Sequence, residues 1–142
     1  MAGDITHITV HCSASPPTTH VDAKVIDRWH RARGFLKIGY HFVIRRDGVV
    51  EKGRDIKEVG AHVANHNTGN LGICLAGGVN KEGKAEDNFT TDQLHSLALL
   101  LQDLKKQFPK ATILGHRDWP GVKKDCPSFD VRSWLKETGV LA

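Results

Sequence analysis

No segment of the 142-residue chain approaches the ~18 consecutive apolar residues that a helix needs to cross a bilayer, so membrane insertion is not expected. The opening Met1-Ala2-Gly3-Asp4 has neither the basic start nor the apolar stretch of a secretion signal, which predicts accumulation in the cytosol. Cysteine is scarce as well. Three thiols, an odd number without an export signal, argue against a disulfide framework and for reduced side chains. Charge of one sign is nowhere concentrated: Arg28, Arg31, Arg45, Arg46, Lys105 and Lys123 are scattered, with no basic stripe interleaved with aromatics, so specific nucleic-acid binding is not expected. The net charge of +4 is better suited to long-range attraction of an anionic polymer. No internal repeat is visible, and the Gly-, Lys-, Glu- and Asn-rich stretch 77–88 reads as a surface loop rather than a linker.

What is present fits one α/β domain. Ile5 to Cys12 alternates as a strand, and Val21 to Gly34 places Val25, Ile26 and Trp29 at helical spacing before a glycine stop. Tyr40–Ile44 and Val49–Lys52 flank Asp47-Gly48, a two-residue hairpin signal. Leu71 to Ala76 reads as a buried strand, within which Cys74 packs as a small hydrophobe. Thr90 and Gln93 form a capping box that opens a helix to about Phe108, with Leu94, Leu97, Ala98, Leu101 and Leu104 on its apolar face. Thr112–Gly115 is a short strand, and a last helix covers about Asp130 to Glu137. The order predicts a mixed central sheet flanked by helices. The chain is separately expected to be a monomer.

The chemistry concentrates near the C-terminus. His116 and Cys126 are two good zinc-type ligands across a polar loop, and His11, ending the first strand, can complete a set of three. Three protein ligands leave one tetrahedral position open, as in hydrolytic rather than structural zinc sites. His7 shares the parity of His11 but lies about 13 Å away along a strand, too far to hold the same ion. Cys12 faces opposite to His11 and is expected to pack. Three histidines, His20, His30 and His95, fall in polar or helical surface contexts and are expected to be solvated, while His41 should face away from Tyr40. His62, on a polar loop with Asn65, His66 and Asn67, is read as a substrate-binding residue against the alternative of plain loop structure.

Several motifs carry a resemblance. His11-Cys12-Ser13-Ala14, Gly39-Tyr40-His41-Phe42, Arg46-Asp47-Gly48, Gly60-Ala61-His62, the run from Gly72 to Gly78, Gly115-His116 and Cys126-Pro127-Ser128-Phe129-Asp130 occur in the order seen in zinc-dependent N-acetylmuramoyl-L-alanine amidases. Over nearly its whole length the chain resembles the small amidase lysozymes of T-odd bacteriophages, which share a fold with peptidoglycan-recognition proteins. The resemblance implies one zinc ion on His11, His116 and Cys126, Tyr40 and Lys124 as catalytic residues, and bacterial peptidoglycan as substrate. His62 and Asn67 become candidate contacts to sugar or stem peptide. It also implies an enzyme held in the host cytoplasm until a separate pore opens, and a second role in binding and inhibiting a phage RNA polymerase. Two other readings stay open: a peptidoglycan-binding module without catalysis, and a zinc peptidase of the stem peptide.

Overall fold

The computed structural model describes residues 4–141, and the expected alternation runs through them. The elements are β1 (His7–Cys12), α1 (Ala23–Ala32), β2 (Phe42–Ile44), β3 (Val50–Lys52), β4 (Asn70–Leu75), α2 (Thr91–Gln107), β5 (Thr112–Gly115), a 3-10 turn at His116–Asp118, and α3 (Val131–Thr138). Five strands form a mixed sheet in the order β3-β2-β4-β1-β5, with β3 antiparallel at one edge and the other pairings parallel. A parallel strand covered on both faces is mostly apolar, and β4 is buried along its whole length, its one polar side chain, Asn70, accepting a hydrogen bond from Thr9 Oγ1.

Strand alternation divides the interior into two layers. Ile8 and Val10 of β1, Leu71, Ile73 and Leu75 of β4, and Phe42 and Ile44 of β2 face α2 and α3, where Leu97, Leu101, Leu104 and Val131 complete the larger cluster. On the other face Val43, Cys74 and Ala76 pack with Val21, Ile38 and Ile26 of α1. By the same alternation His7, Thr9 and His11 belong to the α1 side of β1.

Helix α2 starts where its capping box predicts. Thr90 Oγ1 accepts from Gln93 N–H and Gln93 Oε1 accepts from Thr90 N–H, both at 3.0 Å. Gln93 is fully buried because its Nε2 also donates to Ile44 O and Ala76 O, fastening the helix start to β2 and the end of β4. The hairpin differs slightly from expectation. Gly48 N–H donates to Arg45 O, Arg45 N–H to Val49 O, and Gly48 sits at φ 86°, so the loop is Arg46-Asp47-Gly48 with the glycine as a left-handed bulge residue.

Helix α1 corrects the reading of its buried face. Its side-chain cap is Asp22, which accepts from Val25 N–H at 2.9 Å, and the inward positions are Ile26 and His30, one helical turn apart. Trp29 is 40% exposed, whereas His30, expected in solvent, is 6% exposed. Its ring packs on Phe35 and Tyr40, and its Nδ1 accepts the Gly39 N–H at 2.8 Å. His20 and His95 are exposed as expected.

Candidate metal centre

Three segments meet at the C-terminal end of β1. The strand itself delivers His11, which is 1% exposed. Strand β5 ends at Gly115, whose N–H donates to Asp118 Oδ2, and this short turn carries His116 to the side of His11 with ring centroids 4.5 Å apart. The third segment is tied back by Arg117 N–H donating to Cys126 O, and Trp119 Nε1–H donates to Thr9 Oγ1 on β1. Backbone and side-chain hydrogen bonds, rather than sequence proximity, therefore hold His116 and Cys126 against β1.

The donor atoms of His11, His116 and Cys126 all lie within 4.8 Å of one another, the only such group of three among the described residues. Cys126 Sγ is 3.9 Å from His11 Nδ1 and 3.2 Å from the Cys12 N–H. A tetrahedral zinc with its usual bond lengths spaces sulfur and nitrogen ligands by about 3.3–3.6 Å, so small side-chain adjustments bring these donors into place. The donor set of two imidazoles and one thiol fits that ion. His7 stands outside it, 4.8 Å from the Trp119 ring, and Cys12 is not one of the three donors, although its backbone N–H points at the Cys126 sulfur.

Burial sets the protonation of the group. His11 is held well below the ordinary histidine range by desolvation, with the His62, His116 and Lys124 charges acting in the same direction. His116 is lowered to about 4, again by burial first and Lys124 second. Both rings are therefore neutral at pH 7, as metal ligation requires. Hydrogen bonding with the Cys12 thiol and then burial push Cys126 up, while the Cys12 N–H opposes them, so a bound cation is what would hold this sulfur as thiolate.

Tyr40 reaches the same place from the other side, its ring 5.0 Å from that of His11. The residue is only half-buried, yet desolvation drives its phenol well above the ordinary value, with the Cys74, Cys126 and Cys12 thiols adding to the effect. At neutral pH it is an O–H donor. His41, as expected, turns away: its Nε2 meets Glu58 O and its Nδ1 accepts the Gly72 N–H. Lys124 is exposed beside Cys126, close enough for its charge to push His11 and His116 down.

The two candidate substrate contacts are engaged inside the protein. His62 Nδ1 lies 2.8 Å from His11 Nε2 and His62 Nε2 lies 2.8 Å from Asn70 O, so both ring nitrogens are occupied. Asn67 Oδ1 accepts from the N–H groups of His62 and Val63, closing the loop that presents the His62 ring. His30 was missed as part of this neighbourhood; its i, i+4 relation to Ile26 is the signal that places it inward.

The sequence profile of N-acetylmuramoyl-L-alanine amidases matches residues 1–129. The chain belongs to that family. It is an enzyme, an N-acetylmuramoyl-L-alanine amidase acting on peptidoglycan. The amidase is 43% identical to the endolysin of Escherichia phage T7 over 134 residues, covering 94% of this chain and 87% of that one. Among solved structures, the N-acetylmuramoyl-L-alanine amidase LysC from Clostridium intestinale superposes with a TM-score of 0.79 at 27% identity, covering 96% of this chain and 87% of that chain. Drosophila PGRP-LB shares the fold, with a TM-score of 0.76 at 23% identity over 94% of this chain and 81% of its own. The amidase fold thus also occurs in a peptidoglycan-recognition protein.

A pH prediction follows from the buried rings. His116 and His62 titrate near 4 in the folded amidase and near 6.5 when unfolded, so between those values the unfolded chain binds more protons. The stability of the metal-free protein should be complete above about pH 6.5 and fall progressively as the pH drops toward 4. Urea unfolding midpoints at pH 7 and pH 5 measure this, and that window lies mostly above the one in which the carboxylates lose their native pairs. Equal midpoints would contradict neutral buried rings.

Proposed function

We propose that the chain is a zinc-dependent phage endolysin that hydrolyses the amide between the lactyl group of N-acetylmuramic acid and the first L-alanine of the stem peptide. The observation that carries this reading is the convergence of His11, His116 and Cys126 within 4.8 Å at the end of β1. When bound there, zinc supplies a Lewis acid that polarises a carbonyl and lowers the pKa of water to roughly 7.

The remaining work falls to the chain's own groups. Lys124, cationic and solvent-facing beside the ligand group, stabilises the oxyanion that develops as the amide carbonyl becomes tetrahedral. The Tyr40 O–H, protonated at neutral pH, donates a hydrogen bond toward the reacting oxygens. Held below the ordinary histidine range by burial, His11 and His116 keep neutral lone pairs ready at neutral pH.

Two measurements test the reading together. Purified protein is expected to carry one zinc per chain, and digestion of peptidoglycan should create free L-alanine amino termini on an intact glycan bearing lactyl carboxylates. New reducing sugar ends would mean a glycosidase, and free D-amino acid termini a stem peptidase. Full turnover after exhaustive chelation would remove zinc from the mechanism.

The biological setting is proposed on the same basis. The amidase waits in the host cytoplasm as a monomer and reaches the wall when a separate pore opens, causing lysis. Its resemblance to T-odd phage lysozymes along the whole chain supports a second role, binding and inhibiting the cognate phage RNA polymerase. Pull-down of that polymerase by the wild-type chain tests this role, and absence of binding removes it.

A further inference from the structure

His62 and His11 are 51 residues apart in sequence and share one hydrogen bond, 2.8 Å between His62 Nδ1 and His11 Nε2. Which of them donates is decided one step further back. The other His62 nitrogen, Nε2, lies 2.8 Å from the backbone oxygen of Asn70, and a carbonyl can only accept. Nε2 of His62 therefore carries its proton. A neutral imidazole has a single N–H, so Nδ1 is an acceptor, and the donor facing it must be His11 Nε2. The hydrogen-bond partners of the ring are His11 on one nitrogen and the Asn70 carbonyl on the other, and neither is a carboxylate that would hold a second proton.

With the His11 proton on Nε2, its Nδ1 presents a lone pair, and Nδ1 is the nitrogen 3.9 Å from Cys126 Sγ. The relay is built into the backbone. A Cβ on Gly60 would come within 2.7 Å of His62 Cδ2, and one on Gly72 within 2.8 Å of His62 Cγ, so two glycines leave the slot in which the ring lies. Gly72 is on β4, next to the strand that carries His11, and the loop end is fixed by Asn67.

We propose that His62 is a positioning residue for the metal: by receiving the His11 Nε2–H, it holds His11 in the tautomer and ring orientation that turn Nδ1 toward Cys126. The inference rests on the zinc reading of these three ligands. An imidazole acceptor orients the ligand without adding negative charge, unlike a carboxylate in the same place, so the positive character of a metal held by one thiolate is preserved. Outer groups of this kind typically change metal affinity by about 10–100-fold when removed.

The test uses zinc affinity, by competition with a chromogenic chelator, for the wild type, His62→Gln and His62→Phe, together with 15N NMR of the metal-free wild type labelled at histidine. His62→Phe should bind zinc about 10–100-fold more weakly. His62→Gln, whose side-chain oxygen can still accept from His11, should stay close to the wild type. The spectra should show His11 protonated at Nε2, with a scalar coupling across the hydrogen bond to His62 Nδ1. A folded His62→Phe protein with wild-type affinity, or a wild-type His11 protonated at Nδ1, overturns the proposal. If His62→Phe does not fold, the wild-type spectrum decides alone. Failure of the wild type to bind any zinc defeats the metal reading itself, an outcome distinct from the other two.

Discussion

Cys126→Ser is expected to lose zinc and amidase activity together. The serine hydroxyl is neutral at pH 7 and a far poorer zinc ligand than a thiolate, so the site falls from three protein donors to two imidazoles. The fold should survive. Cys126 lies in a loop after the 3-10 turn, and the link that holds the loop, Arg117 N–H to Cys126 O, uses backbone atoms that the substitution leaves in place. The Cys12 N–H, now 3.2 Å from sulfur, can donate to the serine oxygen instead. Metal content after gel filtration, measured beside the rate on purified peptidoglycan, checks the prediction. Full zinc in the serine variant would mean that the third ligand is another residue.

Lys124→Met should separate metal holding from transition-state work. Lys124 stands two positions before Cys126 with its side chain exposed, and it contributes no donor atom to the cluster of His11, His116 and Cys126. Methionine keeps the apolar stem and approximate length but removes the charge. Zinc content should therefore remain at one per chain while turnover falls by about two to three orders of magnitude, the usual consequence of deleting one oxyanion donor. Losing the cation also relieves the charge that lowers the ligand histidines, so zinc retention should not worsen. A variant with full zinc and near wild-type rate would leave Lys124 as a solvated loop residue.

The two substitutions are read best as a pair. Loss of rate with loss of metal marks a ligand, and loss of rate with metal retained marks a group that acts on the substrate. Tyr40 can be placed on the same scale by Tyr40→Phe, which removes the O–H but leaves the ring that packs against His11 and His30.

Local signals were read well because they depend on neighbours in the chain. The Thr90–Gln93 capping box, the strand 112–115 and the order of strands and helices all arise from side-chain spacing and backbone preferences within a few residues. The candidate cluster that the structure brings together, His11, His116 and Cys126, was legible for a related reason: histidine and cysteine have few alternatives as zinc-type donors, and His11 and His116 each lie at the end of a strand, where a side chain leaves the sheet. Resemblance to the amidases supplied Tyr40 and Lys124, which no spacing rule singles out.

His62 and His30 could not be read in this way. One α/β domain, its element order and three candidate ligands could be read from the residues alone, because they follow from periodicity and donor chemistry. The strand order β3-β2-β4-β1-β5 and the inward turn of His30 emerged with the packed fold. It likewise engaged both nitrogens of His62, one on His11 and the other on the Asn70 carbonyl. A hydrogen bond between residues 51 positions apart forms only after long-range strand pairing has brought their backbones together, and glycine slots such as those at Gly60 and Gly72 have no meaning until that packing exists.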